Sequence, residues 1–117
     1  MAVLDVEVRV RRDGEDIEGS PFVRRITLTE ATEFDSTIPS TQTSLGGIPG
    51  VALATATALI LNPQNTLTLQ LNGGANFVVN PGALVLILDA QLTGTSVAQV
   101  SNATGAAVEI LGLEAGP

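Results

Sequence analysis

Few side chains in this sequence can do chemistry. His, Lys, Cys, Tyr and Trp are all absent, which leaves twelve carboxylates and the arginines Arg9, Arg11, Arg12, Arg24 and Arg25 as the ionisable side chains. Proton transfer near neutral pH is usually carried by His, a tuned Lys or Cys, or a perturbed carboxylate. The first three are missing. That excludes His-based triads, Schiff bases, thiol nucleophiles and Cys- or His-ligated zinc. Hydrolysis by a carboxylate pair survives in principle, with Asp35 and Asp89 as the acids to mutate. It needs two facing acids, usually with aromatic rings to hold a sugar, and neither Trp nor Tyr is present. Asp35-Ser36-Thr37 is the nearest fragment to an aspartic-protease half-site, but it lacks a glycine after the hydroxyl residue. The expectation is a protein without a catalytic site and without a cofactor.

Three other patterns can be weighed. Asp13, Glu15, Asp16 and Glu18 surround Gly14 in a composition that suits a hard cation. Their spacing is not that of an EF-hand, so a solvated hairpin tip balanced by Arg11 and Arg12 is the simpler reading. Asn102-Ala103-Thr104 fits the N-glycosylation pattern. With no secretory signal in view, it reads as a turn. The glycine pairs near 46–50 and 73–74 lead into no helix and make no phosphate cradle.

The charge is unevenly placed. Net charge is −7, and no basic residue follows Arg25. Beyond residue 35 the only charged side chains are Asp89, Glu109 and Glu114. An acidic chain without a basic stripe is a poor ligand for nucleic acid or anionic membrane, so neither is an expected partner. The start has no basic n-region and no continuous apolar run, and the longest uncharged apolar stretch, 51–61, is too short to span a bilayer. The sequence therefore reads as a protein made in the cytoplasm. A body covered in neutral polar and aliphatic groups loses little desolvation energy when buried against another subunit.

The elements that carry these residues are strands. Leu4, Val6, Val8 and Val10 alternate with Asp5, Glu7, Arg9 and Arg11, the period of two expected of a strand. Asp13-Gly14 supplies a turn. A second strand over 22–29 puts Phe22, Arg24, Ile26 and Leu28 on one face. Residues 36–50, rich in Ser, Thr, Gly and Pro, have the composition of a loop or arm. Short strands then follow over 52–61, 66–71, 76–79, 83–88, 96–100 and 106–113. They are punctuated by Asn62-Pro63, Asn72-Gly73-Gly74, Asn80-Pro81-Gly82 and 101–105. The run 52–61 reads as a strand rather than a helix, given Thr55, Thr57 and the following Asn-Pro. The run 83–88 is apolar on both faces. These features imply one all-β domain over 1–117, an antiparallel sandwich or barrel-like, jelly-roll-like fold. Residues 1–30 form a charged N-terminal hairpin, 31–50 a loop or arm, and 51–117 the apolar body.

The segments Ala58-Leu59-Ile60-Leu61, Leu67-Thr68-Leu69-Gln70-Leu71-Asn72-Gly73, Ala83-Leu84-Val85-Leu86-Ile87-Leu88 and Val108-Glu109-Ile110-Leu111-Gly112 resemble those of small bacteriophage virion proteins. The likeness is to head-decoration (cement) proteins and to small tail or fibre components, and it is one of style rather than of a diagnostic motif. It implies a β-rich, often trimeric subunit that sits where capsomers meet and holds the shell against internal pressure. Its partners would be further copies of itself and the major capsid protein or another virion protein, and its location the virion. On that reading Arg9, Arg11, Arg12, Arg24 and Arg25 contact a partner in a salt-sensitive way, and Ile38, Leu45 and Ile48 do so from an arm laid over a neighbour. The alternatives are a tail, collar or fibre-associated subunit, and a receptor- or carbohydrate-binding β-sandwich.

Overall fold

A computed structural model describes residues 2–51, 55–92 and 97–116. Every regular element in it is a strand. Four strands form the central sheet, in the order β5 (Glu30–Ile38), β11 (Val108–Gly116), β6 (Ala58–Pro63) and β9 (Val85–Ile87), all antiparallel. A second sheet has the order β10 (Ala98–Ser101), β7 (Leu67–Leu71) and β8 (Asn76–Val79). The two stack as an open sandwich, not a closed barrel. β1 (Ala2–Val8) and β4 (Phe22–Leu28) pair as a separate ribbon, with Leu4 opposite Ile26 and Val8 opposite Phe22. The ribbon ends in a tiny hairpin of β2 (Arg11–Arg12) and β3 (Glu15–Asp16).

Period-two alternation explains the layers. In the central sheet, Ile38, Val108, Ile110, Leu59 and Leu61 point to one face and meet Leu67, Leu69, Val79 and Val100 of the second sheet. Several of these side chains are fully buried, and each contributes about 1.5–3 kcal/mol by leaving water. The opposite face of the central sheet presents Ala58, Leu113 and Ala115. There the lower half of the ribbon seats Leu4, Ile26 and Leu28, with Leu88 alongside. The molecule thus has three layers, with the ribbon covering only part of the central sheet. Its radius of gyration of 14.9 Å exceeds the roughly 13 Å of a compact chain this long, as expected if half the ribbon overhangs.

Turn chemistry agrees with the sequence. Asp13 and Gly14 both have positive φ, as do Asn72 and Gly73. Asp13-Gly14, closed by the Arg12–Glu15 pair, is a two-residue turn whose twist matches that of its flanking strands; the β7–β8 connection is longer, with a turn at Asn72-Gly73 closed by the Gly74 amide on the Leu71 carbonyl.

The arm expected over 31–50 is corrected. Its first part is β5, whose nine residues pair with the whole of β11. Thr and β-branched content, together with a long partner strand, outweighed the polar composition. The remainder is clasped to its own chain. Gly46 forms a two-way backbone bridge with Val100, at 3.0 and 2.8 Å. Gln42 donates from Nε2 to the carbonyls of Gly47 and Val100, and Ser36 Oγ donates to the Pro49 carbonyl at 2.6 Å. Several body strands are also shifted from the sequence reading. That for 52–61 begins at Ala58, with residues 52–54 outside the described residues. That for 96–100 covers Ala98–Ser101, with residue 96 likewise outside.

Candidate functional site

The ribbon is amphipathic along its whole length, but the central sheet extends under only half of it. From Ile26 towards the tip its inner face is only partly covered: Val6 and Val8 are half-buried and Phe22 is exposed. Val8, Phe22 and Arg24 on that face, together with the neighbouring Val10 and Val23, frame with Leu86 and Leu88 an open apolar groove of about 490 Å³. Phe22 is 48% exposed and Val23 72%. Exposed apolar area concentrated in this way marks an interaction surface more often than scattered surface leucines do. Leu86 belongs here because β9 alternates: Val85 and Ile87 face the core, while Leu84, Leu86 and Leu88 face the ribbon side.

One ion pair ties the overhang to the body, from the Arg24 guanidinium to Asp89 just past β9. The other arginine pairs lie inside the ribbon. Arg25 grips Asp5 with two bonds, at 2.6 and 3.2 Å. That bond lowers the Asp5 carboxyl below its usual range and raises the Arg25 guanidinium. Arg9 lies beside Glu7 and Asp16, and Arg11 donates to Asp16 at 3.0 Å. Arg12 alone of the five has no ion-pair partner among the described residues. The charge expected to meet a partner is thus largely matched at home.

The sequence-derived site residues divide accordingly. Arg24 lies on the groove, while Arg9, Arg11 and Arg12 lie at the ribbon's tip and Arg25 on its outer face. Ile38 and Ile48 are core residues, and Leu45 is half-buried beside the Gly46 bridge. The side chains of Ile38 and Ile48 pack inside this chain rather than projecting from an arm. Asp13, Glu15, Asp16 and Glu18 are not gathered into a cation site, since among the described residues no group of acids is placed to hold a metal ion. The strand period sends Glu15 and Asp16 to opposite faces, and Asp16 is engaged by Arg11.

The two carboxylates that the sequence offered as a catalytic pair, Asp35 and Asp89, are not brought together. Asp35 lies on β5 and Asp89 follows β9, at opposite edges of the central sheet. Three strand spacings separate them by roughly 14 Å across the sheet, and the register, with Asp35 level with Asn62 and Asp89 level with Thr57, adds roughly 16 Å along it, well beyond the separation used by glycosidases of either stereochemistry. A shallower depression of about 420 Å³ at the β5 edge is lined by Glu33, Phe34, Asp35, Leu111 and Gly112. Glu114 was not singled out by the sequence. It is only 7% exposed, and burial, with the nearby Glu30 charge second, raises its carboxyl above the usual range. The parity of Val108, Ile110, Gly112 and Glu114 was the available signal.

The glycosylation-like Asn102 is fully buried. Its Nδ2 donates to the Ile38 carbonyl at 3.1 Å and to that of Ala106 at 2.7 Å, and its Oδ1 accepts from the amide and hydroxyl of Thr104. The side chain is a structural pin with no room for a glycan. No protein-family model matches the sequence, and a search of curated proteins returns no match.

Proposed function

We propose that this chain is a non-enzymatic structural subunit of a bacteriophage particle. It serves as a head-decoration or cement subunit that associates with further copies of itself and docks on the major capsid protein. The observation that carries this reading is the open groove under the ribbon, in a chain with no charged side chain between Asp35 and Asp89. Contacts of that kind are weak singly and strong when repeated by symmetry, and they require no reactive side chain. The internal pairing of four arginines changes the expected character of docking. Apolar contact dominates, so binding to the shell should vary little between low and high salt, and Phe22→Ser or Leu86→Ser should weaken it while the fold is retained.

Labelling or cryo-electron microscopy of the particle tests the assignment. Density for the chain over capsomer junctions across the whole head supports it. Density confined to one vertex moves the subunit to the tail or collar. If mass spectrometry finds no trace of the chain in purified particles, the virion reading is overturned.

A further inference from the structure

The two sheets of the sandwich have four outer edges, and three of them are protected by recognisable means. An unprotected edge offers a row of unpaired backbone groups to any passing strand, and proteins block this with charge, short strands or a covering segment. β5 carries Glu30, Glu33 and Asp35 within nine residues. β9 is three residues long, and Asp89 just beyond it is held by Arg24 on the ribbon. β10 is covered by the 42–46 loop through the Gly46–Val100 bridge and the bond from the Asn102 amide to the Gln42 carbonyl. β8, although short at four residues, has neither charge nor a covering segment among the described residues. Among the described residues it pairs only with β7, and its sequence Asn-Phe-Val-Val contains no charge and no proline. Among the described residues, no backbone bond other than the β7 ladder reaches it. Val78 is 66% exposed, and Phe77, although it shares the inward parity of Leu69 and Val79, is 40% exposed.

We infer that the β8 edge is a homotypic docking edge, where a second copy of this chain adds its own β8 antiparallel to form one continuous six-stranded sheet. Charge selects the occupant. Each copy carries −7 and has no base beyond Arg25, so most approaches bring carboxylates together. β8 lies in the stretch between Asp35 and Asp89 that has no charge at all, so like molecules meet there with the least repulsion. A two-fold axis normal to the sheet keeps inner faces on the same side. With Val78 opposite its own counterpart, Phe77 of each copy lies opposite Val79 of the other, which covers the ring left exposed in the single chain. The contact is isologous and closes at two copies, so it is distinct from any three-fold ring.

This inference rests on the self-association part of the proposed function, and one experiment separates the two. Sedimentation equilibrium of the full chain, read by interference optics because Trp and Tyr are absent, is compared with Val78→Lys and with Glu33→Lys at the charged β5 edge. The expected result is an even-numbered species for the wild type and for Glu33→Lys, and half that mass for Val78→Lys with an unchanged circular dichroism spectrum. Val78→Cys, the only thiol in its chain, should form a disulfide-linked dimer on mild oxidation. A wild-type trimer, or a mass indifferent to Val78→Lys, overturns the β8 pair and leaves self-association standing. A wild-type monomer at all concentrations overturns both.

Discussion

Arg24 and Asp89 form the ion pair that joins the ribbon to the body, while every other ion pair among the described residues lies within the ribbon. Both side chains are about half exposed, so the pair contributes at most about 1 kcal/mol to global stability. Its effect is local, because beyond Ile26 little else holds the ribbon over β9.

Asp89→Ala should therefore leave the unfolding midpoint within about 1 kcal/mol of wild type while loosening the ribbon. Trypsin reads this directly, since all its cleavage sites are ribbon arginines. Cleavage after Arg24 and Arg25 should be several times faster in the variant. Equal rates would show that the apolar seat of Leu4, Ile26 and Leu28 alone holds the ribbon in place.

Asn102→Ala removes a buried donor from two carbonyls and an acceptor from Thr104. Groups left unpaired in the interior cost about 1–3 kcal/mol each. Urea denaturation should show a loss of at least about 2 kcal/mol. Asn102→Asp should be at least as damaging, because it sets a carboxylate oxygen against carbonyls.

Glu114 gives stability a pH dependence of known sign. Its folded-state carboxyl is raised by burial and by Glu30, so the folded chain keeps this proton to higher pH than the unfolded chain does. Its contribution is most favourable below the ordinary carboxylate range and falls as pH rises from that value through the raised one. Glu114→Gln should increase the neutral-pH denaturation midpoint and flatten the slope across this window. Glu30→Gln should do so in part. A Glu114→Gln variant less stable than wild type at neutral pH would contradict the assignment.

Gly112 is the site where β11 tolerates no side chain. A Cβ there would meet the Ile60 carbonyl and the ring of Phe34. The backbone oxygen cannot step aside, so Gly112→Ala should cost about 1–3 kcal/mol by overpacking. Adding Phe34→Ala should relieve only the ring contact. Full recovery in the double variant would place the whole conflict on the ring.

The sequence by itself determined the all-β class, the ribbon strands and the turns at Asp13-Gly14 and Asn72-Gly73. These follow from local rules: alternation with period two, and the backbone freedom of Asn, Asp and Gly at positive φ. It also determined the charge split and the absence of His, Lys and Cys chemistry. Tertiary structure alone decided where apolar faces find cover. Residues 31–38 read as part of a loop or arm until β11 supplies a pairing partner for each, and Ile38 and Ile48 become core only when the second sheet stacks on the first. The groove exists because the sheet beneath the ribbon ends before the ribbon does. The bare edge of β8 exists because strand order leaves it outermost. Partner strands and sheet order are set by contacts distant in sequence, and local pattern carries no record of them.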